Sequence, residues 1–430
     1  MPDKFTKKTL SNGLTVMLKE IHTAPLISSW LWYRVGSRNE VAGKTGISHW
    51  VEHMQFKGTP DFPSNVLDKA ISREGGVWNA FTYLDFTTYY ETMPADKIDL
   101  ALRLEADRMA NSLFDPEEVA SERTVVISER EGNENSPMFK LSEATQAAAF
   151  RVHAYHHKVI GDMADLENMT RDDLYEHYKS YYAPNNAVMA VAGDFETEKM
   201  LERIKELFGE IPAAPSPRQQ SRPEPEASGE LSLTVEGRGE TTFVQACYHF
   251  PAASDPDFFP LTVLDSLLAG ASNLNMFGGG ISNKTSRLYR ALVETELTVG
   301  MSGGAQATID PYLYNIVMVI PPERTPEEAL TALDAEILRV QEEKVSEAEV
   351  SRAVKQARAL FAYGSESITN QAFWMGYTEM FADYDWFLTY LDKLAAVTPE
   401  DVQRVAQKYL QKKSRVVGTY LPVNEEMPNE

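Results

Sequence analysis

A proline- and serine-rich segment divides this chain of 430 residues into two halves of nearly equal length. Residues 212–230 contain five prolines and show no apolar period, which is typical of a linker between domains. A chain of this length is also too long for one ordinary hydrophobic core. The sequence therefore predicts one domain over residues 1–211, a linker over 212–230 and a second domain over 231–430.

The two halves end in the same pattern, which indicates an internal duplication. Thr170 begins a predicted helix that leads to the apolar strand 187–193, and Thr398 begins a helix that leads to the apolar strand 416–421. The two threonines are 228 residues apart (398 minus 170), and acidic residues follow each of them, as is common at the start of a helix.

A strand precedes a long amphipathic helix in each half. Residues 80–93 precede a helix predicted over 94–111, and residues 307–320 precede a helix predicted over 322–342. In both helices the apolar residues recur at intervals of three and four, so each helix has one apolar face. Each half is therefore predicted to be an α+β unit with its own sheet.

Charge and composition exclude several kinds of partner and site. The formal net charge of -22 argues against nucleic acid, because binding phosphates requires clustered Lys and Arg. Cys247 is the only cysteine, so any bound metal must use histidine and carboxylate ligands. The N-terminus lacks a signal-like apolar run, and no segment reaches the ~20 apolar residues of a membrane span. These features predict a cytoplasmic protein without a membrane span.

Residues 46–59 contain the motif H-x-x-E-H, formed by His49, Glu52 and His53. If this segment is a helix, His49 and His53 are four positions apart and lie on one face, where both imidazoles can bind one ion. Glu52 shares part of that face and is placed to act as a general base toward water bound to the ion. A zinc ion suits this chemistry, because it lowers the pKa of its water to ~7.

A catalytic zinc site requires a third protein ligand and an open coordination position. Glu122 and Glu129 are seven residues apart, so they lie on the same face of a second predicted helix. Val125 and Val126 between them are expected to anchor this helix in the core. The spacing leaves open which glutamate binds the metal and which supports the site through second-shell contacts.

Together these residues resemble the pitrilysin family of inverzincin metallopeptidases, in which the order of the zincin motif is reversed. The similarity is strongest to short bacterial members that are similar to mitochondrial processing peptidase. It extends over nearly the whole chain, in the segments 10–16, 46–59, 78–82, 122–129 and 278–289.

The resemblance implies one Zn²⁺ per chain, bound by His49, His53 and a glutamate 76 residues beyond the second histidine. Glu129 is at that distance (129 minus 53). Glu52 would be the catalytic base, and Glu122 would support catalysis by holding the site through second-shell contacts.

The resemblance also implies the fold and the position of the substrate. The fold would consist of two homologous α/β-sandwich halves, each a mainly antiparallel sheet covered by helices. Asn79 and Ala80 fall on the strand that pairs with the substrate backbone in relatives. The second half contains no H-x-x-E-H and is expected to be non-catalytic.

One departure from the family pattern concerns the second half. Active relatives carry Arg and Tyr after a Ser-Arg-Leu run, whereas here the run 286–289 is followed by Val293 and Val299 at those places. Valine cannot donate a side-chain hydrogen bond to a developing oxyanion. We therefore expect a zinc endopeptidase for peptides or unfolded polypeptide segments that forms a heterodimer with a homologous subunit carrying Arg and Tyr. The glycines 278–280 resemble a loop of that partner subunit, although an ordinary flexible turn explains them equally well.

Two alternatives to the heterodimer remain at this point. The chain is otherwise a self-sufficient homodimeric peptidase that uses other hydrogen-bond donors, or a non-catalytic scaffold subunit. The intact set of metal-binding residues disfavours the scaffold.

Overall fold

The computed structural model describes residues 5–215, 222–271, 274 and 283–423. Part of the predicted linker, residues 216–221, and the glycines 278–280 lie outside the described residues. No helix in the described part of the chain is both long enough and apolar enough to cross a membrane.

The described residues form both strands and helices, as expected for an α+β fold. The strands are β1 (Thr6–Thr9), β2 (Thr15–Glu20), β3 (Leu26–Tyr33), β4 (Val77–Thr82), β5 (Thr87–Pro94), β6 (Ala187–Gly193), β7 (Leu231–Gly237), β8 (Thr242–Phe250), β9 (Gly300–Gly304), β10 (Tyr312–Ile320) and β11 (Val416–Pro422). The α-helices are α1 (Ile47–Met54), α2 (Ser64–Arg73), α3 (Ile98–Asn111), α4 (Pro116–Glu134), α5 (Pro137–Ala149), α6 (Met163–Asn168), α7 (Arg171–Tyr181), α8 (Thr197–Phe208), α9 (Phe258–Leu268), α10 (Pro326–Glu342), α11 (Glu347–Tyr363), α12 (Ile368–Phe381), α13 (Tyr384–Ala395) and α14 (Pro399–Tyr409).

The first of two compact units contains the chain up to Glu131, the segment that begins at His157 and runs into the linker, and Ser365–Phe387. Its sheet has the order β1-β2-β6-β3-β5-β4, and every neighbouring pair except β2 and β6 is antiparallel. Helix α12 comes from the second half of the sequence but packs on β3 and β6 of this sheet. Its Phe373 contacts Trp30 and Trp32 of β3 through aromatic rings.

The second unit contains Gly132–His156, Arg222–Gly364 and the chain from Leu388 onward. Its sheet has the order β7-β11-β8-β10-β9, and only the pair β7 and β11 is parallel. Helix α5 comes from the first half of the sequence but packs on β11 and β8 of this sheet. Each unit therefore incorporates a helix from the other half of the sequence, which no local pattern indicates.

The two sheets confirm the predicted α+β fold and its mainly antiparallel strands. Apart from β1, the order β2-β6-β3-β5-β4 in the first sheet corresponds strand by strand to β7-β11-β8-β10-β9 in the second. The one parallel pair, β2 with β6 and β7 with β11, lies at the same place in each sheet. The two strands predicted from the repeat are β6 and β11, which both belong to that pair. The predicted helix starts are also confirmed, because the hydroxyls of Thr170 and Thr398 accept backbone N–H groups from Asp173 and Asp401.

Four details differ from the sequence predictions. The predicted strand 80–93 is two strands, β4 and β5, and the predicted strand 307–320 begins only at Tyr312. Helix α3 begins at Ile98 after a short 3-10 turn, and α10 begins at Pro326, where Thr325 accepts the capping hydrogen bond and proline suits the first helical position. The prediction that both valines of α4 anchor the helix was wrong: Val126 is fully buried, but Val125 is 47% exposed. Adjacent helical positions are about 100° apart, and the buried face of α4 includes Val126 but not Val125. The boundaries 1–211, 212–230 and 231–430 stay a prediction about the sequence halves.

Candidate metal centre

Helix α1 carries both histidines of the H-x-x-E-H motif, as the sequence predicts. The helix begins after Gly46, whose φ of 84° lies in the left-handed region that favours glycine. His49 and His53 lie one turn apart on the same face, and their ring centroids are 4.6 Å apart. Two imidazoles therefore face the same point in space.

Glu129 of α4 brings a carboxylate to the same point. One of its oxygens, Oε2, lies 3.7 Å from Nε2 of His49 and 3.7 Å from Nε2 of His53. One nitrogen of each histidine and one oxygen of Glu129 all lie within 4.8 Å of one another. The structure thus places together the three residues that the sequence analysis assigns to the metal.

The distances from Glu129 to the two histidines and the chemistry of this donor set fit a zinc ion. Zn–N and Zn–O bonds of about 2.1 Å in tetrahedral geometry require donor atoms about 3.4 Å apart. The observed 3.7 Å from Glu129 to each histidine is close to that spacing. Two imidazole nitrogens and one carboxylate also leave the fourth position open, as in catalytic zinc sites.

Glu122 lies behind His53 and holds the orientation of its ring. Its Oε1 is 2.8 Å from Nδ1 of His53, so Nε2 is the nitrogen that faces Glu129. Lys57 forms an ion pair with the other oxygen of Glu122. A carboxylate on the far nitrogen of a metal-binding histidine fixes its tautomer and makes it a stronger donor. This is the supporting position that the sequence analysis expects for Glu122.

The charges around His53 and Glu122 are mutually stabilising. Burial alone would lower the pKa of His53, but the hydrogen bond to Glu122 and the nearby carboxylates raise it above its usual value. Burial would likewise raise the pKa of Glu122, but its hydrogen bonds with His53 and Lys57 lower it overall. In the metal-free protein the two groups thus favour an ion pair.

His49 is in a drier environment than His53. Burial, together with the charge of His53, lowers the pKa of His49 to about 3, so its imidazole is neutral at physiological pH. A neutral imidazole is the form that binds metals. Its Nδ1 is buried and has no hydrogen-bond partner among the described residues.

Glu52 lies on α1 between the two histidines and is 8% exposed. The hydroxyl of Thr82, at the end of β4, donates a hydrogen bond of 2.7 Å to its Oε2. Burial raises the pKa of Glu52 to about 7, against the opposing effects of this hydrogen bond and of His53. A carboxyl group with a pKa near neutrality can both accept and return a proton.

No role for Thr82 or Lys57 follows from the sequence, although Thr82 lies in the segment 78–82 and Lys57 in the segment 46–59. Each acts on another site residue, Thr82 on Glu52 and Lys57 on Glu122. The only sequence signal for them was their position inside these segments, because their partners are 30 and 65 residues away (82 minus 52 and 122 minus 57).

An open cavity of about 480 Å³ lies beside Glu52 and His53. Its lining residues are Glu52, His53, Phe56, Lys57, Ser64, Asn79, Glu118 and Glu122. One of them, Asn79, lies on β4, the last strand in the order of the first sheet, which pairs with β5 on its inner side. Asn79 is exposed on this strand, whereas Ala80 is buried at 9%. The cavity therefore adjoins both the carboxylate of Glu52 and a strand at the edge of a sheet.

Two models of one peptidase family match most of this chain. Residues 15–163 match the model described as insulinase (peptidase family M16), and residues 168–357 match the model described as the peptidase M16 inactive domain. The chain belongs to peptidase family M16. The first model covers the half that carries the metal-centre residues, and the second covers most of the half that lacks H-x-x-E-H.

Relatives within the M16 family include proteins named as zinc proteases. The zinc protease PqqE of Helicobacter pylori is 29% identical over 424 residues, covering 94% of this chain and 90% of the relative. A probable mitochondrial-processing peptidase subunit beta of Arabidopsis thaliana is 27% identical, covering 97% of this chain and 78% of the relative. The resemblance inferred from the sequence is thus confirmed at the level of the metallopeptidase family.

Solved structures of M16 proteins have the same fold. A protease from Helicobacter pylori superimposes with a TM-score of 0.90 at 28% identity, covering 98% of this chain and 100% of that protein. A peptidase M16 inactive domain from Pseudomonas fluorescens has a TM-score of 0.87 at 17% identity, covering 99% and 100%. At that lower identity, the likeness shows the fold alone.

Proposed function

We propose that this M16 chain is a zinc-dependent endopeptidase that hydrolyses peptides or unfolded polypeptide segments. The observation that carries the proposal is the convergence of His49, His53 and Glu129 beside the buried carboxyl group of Glu52. In this proposal, the two histidines and Glu129 bind one zinc ion per chain, and Glu122 holds His53 in place.

The chemistry follows from the environments of these residues. When bound, zinc would lower the pKa of a water molecule to ~7 and polarise the substrate carbonyl. Glu52 accepts the proton of the attacking water and then delivers it to the leaving amine, which suits a group with a pKa of about 7. Thr82 restrains one oxygen of Glu52, so the other oxygen is directed to proton transfer.

The substrate would bind as an added strand along β4. An edge strand presents backbone N–H and C=O groups that an extended peptide can pair with, while its side chains occupy neighbouring pockets. Asn79 and Ala80 lie on β4 beside the cavity that contains Glu52. Recognition through backbone groups supports a preference for peptides and unfolded segments over folded proteins.

A partner subunit is the second part of the proposal. Val293 ends a π-helical turn and Val299 is 66% exposed before β9, so neither side chain offers a donor where active relatives carry Arg and Tyr. One relative is named as subunit beta of a processing peptidase. We therefore favour a heterodimer with a homologous subunit that supplies Arg and Tyr, over a self-sufficient homodimer or a scaffold subunit. The cytoplasmic location stays a prediction.

The test is cleavage of an unstructured peptide by zinc-loaded protein, alone and mixed with a homologous chain that carries Arg and Tyr. We expect Glu52→Gln to retain zinc and to lose about 100-fold or more of the cleavage rate, because only the base is removed. His49→Ala is the comparator, and it should lose both zinc and cleavage.

The outcomes separate the alternatives. Cleavage only in the mixture supports the heterodimer, and cleavage by the chain alone supports the homodimer. Zinc binding without cleavage, both by the chain alone and in the mixture, would support a non-catalytic scaffold subunit. Unchanged activity of Glu52→Gln would refute the role of Glu52 as the base.

A further inference from the structure

The position of both histidines depends on what holds α1 in place. The helix has eight residues, Ile47–Met54, and an isolated helix of this length is not stable in water. His49 is its third residue and His53 its seventh. A small rotation or fraying of α1 would therefore move both histidines away from Glu129, which lies on another helix.

Glu40 binds the start of α1 through both oxygens of its carboxylate. Its Oε2 accepts the backbone N–H of Gly46 at 2.8 Å, and its Oε1 accepts the backbone N–H of Ser48 at 2.9 Å. The first N–H groups of a helix have no partners within the helix, and an anion at this end is favoured by the helix dipole. Glu40 thus acts as a cap supplied from the preceding loop.

His157 is the buried side-chain partner of Glu40. Its Nε2 lies 2.8 Å from Oε2 of Glu40, and the two side chains are 4% and 0% exposed. A carboxylate this deeply buried requires a charged or hydrogen-bonding partner. Burial lowers the pKa of His157, but the hydrogen bond to Glu40 and the charges of Glu40, Asp162 and Asp165 raise it overall.

The segment that carries His157 also packs directly on the residues before α1. Asp165 accepts hydrogen bonds from the backbone N–H of Thr45 at 2.9 Å and from its hydroxyl at 2.7 Å. At Gly46, a Cβ atom would lie 2.5 Å from the carbonyl oxygen of Ile160, so the two backbones are in close contact. The start of α1 is therefore held against residues 157–165 by Glu40, which pairs with His157, by Asp165 and by the backbone contact with Ile160.

We propose that Glu40, paired with His157, is a positioning residue for the metal centre. By holding the N–H groups of Gly46 and Ser48, it fixes the first turn of α1 and thereby the place of His49 relative to Glu129. This inference rests on the zinc site of the proposed function. It adds a positioning pair, Glu40 and His157, outside the residues that face the metal.

The test is the zinc dissociation constant of the full chain, measured by competition with a chromophoric chelator, together with the melting temperature. Glu40→Gln keeps the size of the side chain but leaves one of the two N–H groups without an acceptor. We expect its zinc affinity to fall by about tenfold or more, in the range seen when residues that orient metal ligands are replaced.

Asp257→Asn is the matched control at the start of α9 in the second unit. The Asp257 carboxylate is also buried and accepts hydrogen bonds from Arg404 at 2.6 Å, Lys408 at 2.8 Å and Tyr409 at 2.9 Å. This variant should lower the melting temperature without changing zinc affinity. A merely structural role of Glu40 would produce the same pattern in Glu40→Gln.

A second pair of variants keeps the inference testable if Glu40→Gln does not fold. His157→Gln should weaken zinc binding in the same direction, and Thr45→Val tests the anchor to Asp165 independently. If His157 acts through Glu40, the double variant of Glu40 and His157 should lose less affinity than the sum of the two single losses.

The failure of this inference is distinct from the failure of the proposed function. Wild-type protein that binds no zinc would refute the proposed function itself. Wild-type protein that binds zinc, with folded Glu40→Gln, His157→Gln and Thr45→Val variants that bind it equally well, would overturn the positioning role alone.

Discussion

Replacing Glu122 by glutamine tests whether the hydrogen bond behind His53 strengthens the metal centre. The Oε1 atom of Glu122 lies 2.8 Å from Nδ1 of His53, and the carboxylate also pairs with Lys57. Glutamine has nearly the same shape and keeps one acceptor oxygen, but it removes the negative charge. The substitution thus changes one property of the contact and leaves its geometry nearly intact.

The expected loss follows from the kind of hydrogen bond that is changed. A hydrogen bond to a charged group contributes about 1.5–3 kcal/mol, compared with about 1 kcal/mol for a neutral one. The difference of roughly 1.4 kcal/mol corresponds to about a tenfold change in an equilibrium constant. We therefore expect Glu122→Gln to bind zinc about tenfold more weakly. Glu122→Ala, which removes the acceptor altogether, should lose about 100-fold.

The deficit of Glu122→Gln should also depend on pH. In the metal-free protein the Glu122 carboxylate raises the pKa of His53, so it favours a proton that zinc must displace. Glutamine weakens that competition, which partly offsets the weaker zinc binding at low pH. Zinc titrations at about pH 8 and about pH 6.5 should show the larger deficit at the higher pH, where protons compete less with zinc for His53.

Glu118→Gln is the control for the loss of a charge on the same helix. The Glu118 carboxylate lies 3.8 Å from the Lys57 ammonium and is 40% exposed. Its replacement should leave zinc affinity within about twofold, since an exposed ion pair contributes little. Equal zinc affinity of Glu122→Gln and wild type at pH ~8 would refute the reasoning. An equal loss in both variants would attribute the effect to the net charge of the cavity instead of the hydrogen bond.

Two further predictions concern the stability of the first unit. Burial lowers the pKa of His177 to about 3, whereas a histidine in the unfolded chain has a pKa of ~6.5. Between these two pH values the unfolded chain binds more protons than the folded protein. The free energy of unfolding therefore falls as the pH drops below ~6.5. The loss of unfolding free energy is about 2 kcal/mol at about pH 5. Urea unfolding at several pH values should show a weaker pH dependence of stability for His177→Gln than for wild type. An unchanged pH dependence would contradict this prediction. In α12, a Cβ atom on Gly376 would overlap the indole ring of Trp32, so Gly376→Ala should destabilise the protein by about 1–3 kcal/mol. A urea midpoint equal to that of wild type would show that α12 can shift freely.

Local sequence patterns predicted the elements that carry the site. The four-residue spacing of His49 and His53 placed both on one face of a helix, and α1 contains both histidines. The threonine caps and the strands β6 and β11 were also predicted, because caps and apolar runs depend on neighbouring residues. Such features depend on residues close together in the sequence, so the duplication could be identified from the sequence alone.

Long-range contacts were less accessible from the residues themselves. The spacing of Glu122 and Glu129 left their roles open, and the family resemblance was needed to choose between them. The fold places Glu129 3.7 Å from both Nε2 atoms and Glu122 behind His53, and this placement depends on how α4 packs in the folded chain. The exposure of Val125 is another consequence of that packing.

The sequence by itself determined the two histidine donors, their place on one helix and the two related halves, since these follow from residue type and spacing along the chain. Only the tertiary structure decided which groups distant in the sequence hold the site residues in place. Thr82 restrains Glu52, and the pair of Glu40 and His157 holds the start of α1. Likewise, α5 and α12 pack on the sheet formed mainly by the other half. These contacts join residues far apart in sequence, and their energies depend on burial and orientation, which arise only when the chain has folded.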